Sequence, residues 1–132
     1  MPNSKSIPPF TIVIFGATGD LTHRKIVPAL YTLWAEGLLT EPFNIIGFAR
    51  RDWTDETFRA ELLNGIQQFG RLPFDQARWA RFAANVHYHR SEFDQAESYP
   101  ALAARLAQLE GSGTGYRLFY LATPPDAYPI IV

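Results

Sequence analysis

The stretch Phe10-Thr11-Ile12-Val13-Ile14-Phe15-Gly16-Ala17-Thr18-Gly19-Asp20-Leu21 decides the fold. Its first six residues form a nearly continuous apolar run rich in β-branched side chains. That is the pattern of a strand buried on both faces of a parallel sheet. The run ends at Gly16, after which Ile26, Val27, Leu30, Leu33 and Trp34 recur at helical spacing until Gly37. At such a strand–turn–helix junction the chain must reverse sharply and let a diphosphate approach its backbone. Glycine permits both. The N–H groups of the turn and of the helix start then face the anion, and Thr18 adds a hydroxyl donor. Gly16-x-x-Gly19 alone is a weak signal that the flanking strand and helix strengthen. A tight βα turn without a ligand is the alternative.

Working outward, Pro28 lies inside the helical pattern. A regular helix that begins near Lys25 would place it in the first turn, where it removes no intrahelical bond; otherwise it implies a kink. Residues 43–49 read as a second buried strand. Thr54 is the expected N-cap of a helix with Phe58, Leu62, Ile66 and Phe69 on one face. A short helix is expected over 74–85, a strand over 86–89, a helix over 99–109 and a fourth strand over 116–122. Strands alternating with helices imply parallel βαβ units. The fold class is therefore α/β, a doubly wound parallel sheet incomplete at its C-terminal end, with strand four as an exposed edge. Residues 1–10 read as a flexible leader and 11–132 as one truncated domain. Asp126 to Val132 reads as the opening of a further helix.

Composition bounds the function. In 132 residues, twelve basic and thirteen acidic side chains leave a net charge of −1, which gives the whole molecule no electrostatic claim on nucleic acid or membrane. Without cysteine there is no disulfide, thiol nucleophile or thiolate metal site, which fits a reducing, cytoplasmic setting. No apolar run approaches the ~20 residues a membrane span needs.

Two rival enzyme classes fail on their motifs. A P-loop needs Gly-x-x-x-x-Gly-Lys-Ser/Thr, which is absent. Short-chain dehydrogenases need Tyr-x-x-x-Lys, whose lysine lowers the phenol pKa for proton transfer, and none of the six tyrosines has lysine at that spacing.

The end of the second strand reads Ala49-Arg50-Arg51-Asp52. Domains that prefer NAD usually carry an acidic residue there to hold the adenosine ribose hydroxyls. Arginine instead can grip a 2′-phosphate bidentately, a contact worth roughly 1.5–3 kcal/mol. NADP is thus favoured over NAD as the cofactor, with NAD and a merely solvated arginine pair as the alternatives.

At these residues the chain resembles the coenzyme-binding end of glucose-6-phosphate dehydrogenases. The resemblance is carried by Phe15 to Leu21, Arg24-Lys25-Ile26-Val27-Pro28-Ala29-Leu30-Tyr31, Ile46-Gly47-Phe48-Ala49-Arg50, Phe93-Asp94 with Ser98-Tyr99, and Leu118 to Pro125. It implies a Rossmann-like domain that binds NADP in an enzyme oxidising glucose 6-phosphate to 6-phosphogluconolactone, in the pentose phosphate pathway. By that resemblance Gly16, Ala17, Thr18, Gly19, Asp20 and Leu21 hold the diphosphate and Arg50 the 2′-phosphate. Ala122, Thr123, Pro124 and Pro125 line the way to the nicotinamide, Tyr128 lies along the coenzyme, and Lys25 stands near the substrate. Arg51 occupies a position where the family often has serine, and no role carries over to it. The family's catalytic histidine and substrate domain would follow Val132. No catalytic residue is therefore assigned, glucose 6-phosphate is expected as a partner only of a full-length enzyme, and this chain alone is expected not to turn over. A non-catalytic dinucleotide-binding or interaction module is the alternative.

Three other groups are weighed. His87 and His89 share a strand face, but two ligands rarely hold a metal, and a solvent-facing strand edge is favoured. His23, in the turn region, reads as an ordinary solvated histidine as readily as a phosphate contact. Arg71, Arg78 and Arg81 beside Trp79 and Phe82 read as the wet side of a packed helix, not a nucleic-acid platform. Self-association is expected through the exposed strand edge.

Overall fold

A computed structural model of the chain describes residues 10–39, 43–69, 74–91, 97–110 and 116–122. β1 (Phe10–Phe15) leads through a glycine turn into one turn of π-helix (Thr22–Ile26) and then α1 (Val27–Ala35). β2 (Phe43–Ala49), α2 (Asp55–Phe69), α3 (Gln76–Ala83), β3 (Val86–Arg90), α4 (Ser98–Glu110) and β4 (Tyr116–Leu121) follow. Among the described residues the strands form one parallel sheet in the order β3-β2-β1-β4. The chain steps from β1 to β2 to β3 on one side and returns to β4 on the other. The topological switch point thus falls between the carboxyl ends of β1 and β4, where open α/β sheets bind ligands.

Side-chain alternation on β1 divides the core. Ile12 and Ile14 face α1, α2 and α3 in a cluster with Tyr31, Trp34, Phe58, Leu62 and Phe82. Val13 and Phe15 face α4, with Ile46, Phe48, Leu102 and Leu106. Phe43, Phe48, Phe58 and Phe82 are fully buried, each worth roughly 1.5–3 kcal/mol relative to exposure.

Local chemistry sets the element ends. Thr54 caps α2, its Oγ1 accepting the Thr57 N–H at 3.2 Å. Asp75 caps α3 through Oδ1, which accepts from the N–H groups of Ala77 (2.9 Å) and Arg78 (3.2 Å). Trp79 and Phe82 are buried while Arg78 and Arg81 are exposed, so α3 is a packed helix with a charged outer side. Phe10, placed at the end of the expected leader, is paired with Phe43 in the sheet.

The two sheet edges differ. The outer edge of β3 is closed by α2: the Asp55 carboxylate accepts the Tyr88 N–H at 2.7 Å, and Arg59 Nε donates to the Val86 carbonyl at 2.8 Å. Along β4, Leu118 and Phe119 remain 56% and 51% exposed. Among the described residues β4 is a terminal strand of the sheet, paired with β1, as the sequence implied.

His87 and His89 depart from the solvent-facing reading. Both are half-buried, on the sheet face they share with Ile46 and Phe48, against which α4 packs. Phe48 sits between His89 (ring centroids 5.5 Å apart) and Tyr99 (6.1 Å). Burial lowers both histidine pKa values below the ordinary 6.5. For His87, Arg59 and Arg105 lower it further while Asp55 opposes them.

Candidate functional site

Gly16 turns the chain at the end of β1 with φ of 79°, a backbone region open to glycine and strained for other residues. Its N–H donates to the Phe48 carbonyl at 2.9 Å, tying the turn to β2, and Gly19 N–H closes it on the Gly16 carbonyl at 3.1 Å. Ala17 is buried beneath the turn, while Gly19, Asp20 and Leu21 are exposed. A helical segment starts at Asp20, so the turn delivers an exposed helix N-terminus beside the switch point. On the far side of β1, the Ala122 N–H donates to the Phe15 carbonyl at 2.9 Å, which sets the end of β4 against the same turn. The turn, its helix start and Ala122 thus come together. Thr123, Pro124, Pro125 and Tyr128 lie outside the described residues.

The helix does not begin as a regular α-helix near Lys25. Five residues of π-helix come first, with Val27 N–H bonded to the Thr22 carbonyl. Pro28 is thereby accommodated at the start of α1. Lacking an N–H, Pro28 offers no π-type donor to the His23 carbonyl five residues earlier. Thr22 is fully buried, and its hydroxyl has no hydrogen-bond partner among the described residues.

A polar cleft of about 280 Å³ adjoins the turn. Ala17, Thr18, Gly19 and Asp20 form one wall, and Arg51, Trp53, Glu61 and Asn64 contribute to the others. Arg50 is exposed and does not line it. Lys25 instead lines a separate cleft of about 740 Å³ along α1, with Arg24, Thr32 and Glu36. Arg24 pairs with Asp20 at 3.3 Å and lies 4.9 Å from the Phe69 ring centroid. The structure therefore gathers the glycine-turn residues and keeps Lys25 apart from them. Sequence reading assigned no role to Arg51, Trp53, Glu61 or Asn64. Arg51 lies past the end of β2, so strand alternation gave no signal for it.

Fold and turn together define a dinucleotide-binding α/β domain. A family model described as "Glucose-6-phosphate dehydrogenase, NAD binding domain" matches residues 13–132. The chain is 46% identical over 130 residues to glucose-6-phosphate 1-dehydrogenase of Chlamydia pneumoniae, covering 97% of this chain and 25% of that protein. It is 41% identical over 125 residues to glucose-6-phosphate 1-dehydrogenase 2 of Mycobacterium tuberculosis, covering 93% and 24%. Among solved structures, a glucose-6-phosphate dehydrogenase in complex with its substrate glucose 6-phosphate superposes with a TM-score of 0.84 at 32% identity, covering 98% of this chain and 27% of that one. The Mycobacterium avium enzyme gives 0.80 at 31% identity, over 96% and 26%. The chain belongs to the glucose-6-phosphate dehydrogenase NAD-binding domain family, and it spans about a quarter of the length of the relatives it matches.

Among the described residues, no helix is long and apolar enough to cross a membrane and no group of three or more His, Asp or Glu side chains is placed to hold a metal ion.

Proposed function

We propose that residues 11–132 form the coenzyme half of a dehydrogenase acting on glucose 6-phosphate, with NADP as the preferred coenzyme and NAD the weaker one. The observation that carries this reading is the Gly16 turn, with the N-terminus of a helix on one side and the end of β4 hydrogen-bonded to Phe15 on the other. Gly16, Ala17, Thr18, Gly19, Asp20 and Leu21 hold the diphosphate through backbone N–H groups and the helix dipole. Arg50 grips the adenosine 2′-phosphate, and Ala122, Thr123, Pro124, Pro125 and Tyr128 run toward the nicotinamide. The coenzyme supplies the hydride acceptor when bound. Lys25 serves the sugar-phosphate end. Because it lines a different cleft from the turn, substrate and coenzyme would approach the π-helix from different sides.

Hydride transfer needs donor carbon, acceptor ring and general base in near-attack geometry. The glycine turn and the end of β4 supply the acceptor side of that geometry. The chain works in the cytoplasm, away from membranes and nucleic acids, and associates with itself through the open β4 edge. Calorimetric titration tests the reading. NADP⁺ is expected to bind saturably and more tightly than NAD⁺, and Arg50→Ala is expected to weaken NADP⁺ about tenfold while sparing NAD⁺. Equal affinity for the two coenzymes, unchanged by the substitution, would contradict it.

A further inference from the structure

Arg50 and Arg51 leave the same strand, but only Arg51 lines the cleft beside the glycine turn. Its backbone is held twice over. The Arg51 carbonyl accepts the Trp53 N–H at 2.8 Å and the Tyr88 hydroxyl at 2.8 Å. Its guanidinium lies over the Trp53 ring, 5.5 Å from the centroid. Trp53 in turn packs on Phe58 at 6.3 Å and Tyr88 at 6.0 Å, both buried.

An arginine stacked on an anchored aromatic keeps its planar donor fork oriented and loses less freedom when it meets an anion. Across the cleft stand Thr18, Gly19 and Asp20. Asp20 pairs with Arg24 at 3.3 Å. Glu61 is the other carboxylate lining the cleft, and it is exposed to solvent. Arg51 therefore remains as the stacked cation that faces the glycine turn across this cleft.

We propose that Arg51, seated on Trp53, is a second specificity-determining cation that grips the adenosine 2′-phosphate from the cleft side while Arg50 grips it from the solvent side. The inference deepens the coenzyme-binding reading and rests on it. Coenzyme selectivity then depends on both arginines, and on Trp53 through Arg51.

The test is calorimetric titration of the 132-residue chain and its Arg50→Ala, Arg51→Ala and Trp53→Leu variants with NADP⁺, NAD⁺ and 2′,5′-ADP, thermal melts confirming that each folds. Arg51→Ala is expected to weaken NADP⁺ and 2′,5′-ADP about tenfold and leave NAD⁺ unchanged. In a Trp53→Leu background the same substitution should cost less, because the platform has gone. If Arg50→Ala lowers NADP⁺ affinity and Arg51→Ala does not, the coenzyme reading stands and this inference falls. Equal loss of NADP⁺ and NAD⁺ in Arg51→Ala also overturns it, because the residue would then serve the shared adenosine. No binding by the unsubstituted chain would remove the coenzyme reading and this inference with it.

Discussion

Gly65 of α2 stands directly against the backbone carbonyl of His23, so closely that a Cβ at that position would collide with the carbonyl oxygen. The contact joins α2 to the π-helix that precedes Pro28, and so packs the helix carrying Asp20, Arg24 and Lys25 against α2.

Gly65→Ala is accordingly a destabilising change. Alanine in a helix interior gains about 1 kcal/mol over glycine in propensity. A clash with backbone has no flexible end to yield, and overpacking costs about 1–3 kcal/mol. With backbone on both sides of the contact the collision outweighs the propensity, and urea denaturation is expected to show a net loss of up to about 2 kcal/mol. A variant more stable than the parent would mean that α2 moves freely on the π-turn.

Asp55 ties three elements together. It starts α2, accepts the Tyr88 N–H of β3 and meets Arg105 Nη2 of α4 at 3.4 Å. Asp55→Ala leaves an edge N–H and a half-buried guanidinium without this partner. Hydrogen bonds to charged groups are worth about 1.5–3 kcal/mol, and equilibrium unfolding should show a loss in that range. Hydrogen exchange at the Tyr88 amide should accelerate well beyond the global change.

Stability should fall in mild acid. His87 and His89 have folded-state pKa values below 6.5 because burial disfavours their charged forms. The unfolded chain then binds more protons as the pH drops, so the free energy of unfolding declines from about pH 6.5 downward and levels off below the folded-state values. Thermal melts between pH 7.5 and 5 should show this decline, and His89→Leu should make it shallower. A stability rising through that window would contradict the burial.

The open β4 edge should show itself as concentration-dependent association. β3 has its outer edge occupied by Asp55 and Arg59, whereas β4 presents Leu118, Phe119 and Tyr120 to solvent. Light scattering should detect association of the parent chain, with Phe119→Lys shifting it toward monomer. A strictly monomeric parent at high concentration would sink this expectation.

Much of this was legible in the residues. The nearly continuous apolar runs at 10–15 and 43–49 read as strands with both faces covered, and the glycines at 16 and 19 mark the turn whose backbone the structure closes. The half-burial of His87 and His89 was not legible, because it depends on Phe48 of the neighbouring strand and on the helix packed against that face, which strand alternation does not encode. The π-helix was equally hidden. Pro28 marked a helix start or a kink, and neither its position nor the apolar spacing encodes five residues of π-helix, which pack against Gly65, forty-two residues from His23 in the chain. Arg51 escaped for a third reason. Its position is set by Tyr88 and Trp53, and only the assembled sheet brings Tyr88 to its carbonyl.

The most direct test is amide shift mapping by NMR as NADP⁺ is titrated into the ¹⁵N-labelled chain. The largest saturable shifts should fall on Gly16 to Leu21 and on Ala122, the two sides of the switch point, with Arg50 and Arg51 moving more for NADP⁺ than for NAD⁺. Saturable shifts confined to other surfaces, or none at all, would show that the glycine turn joins a strand to a helix without holding a coenzyme.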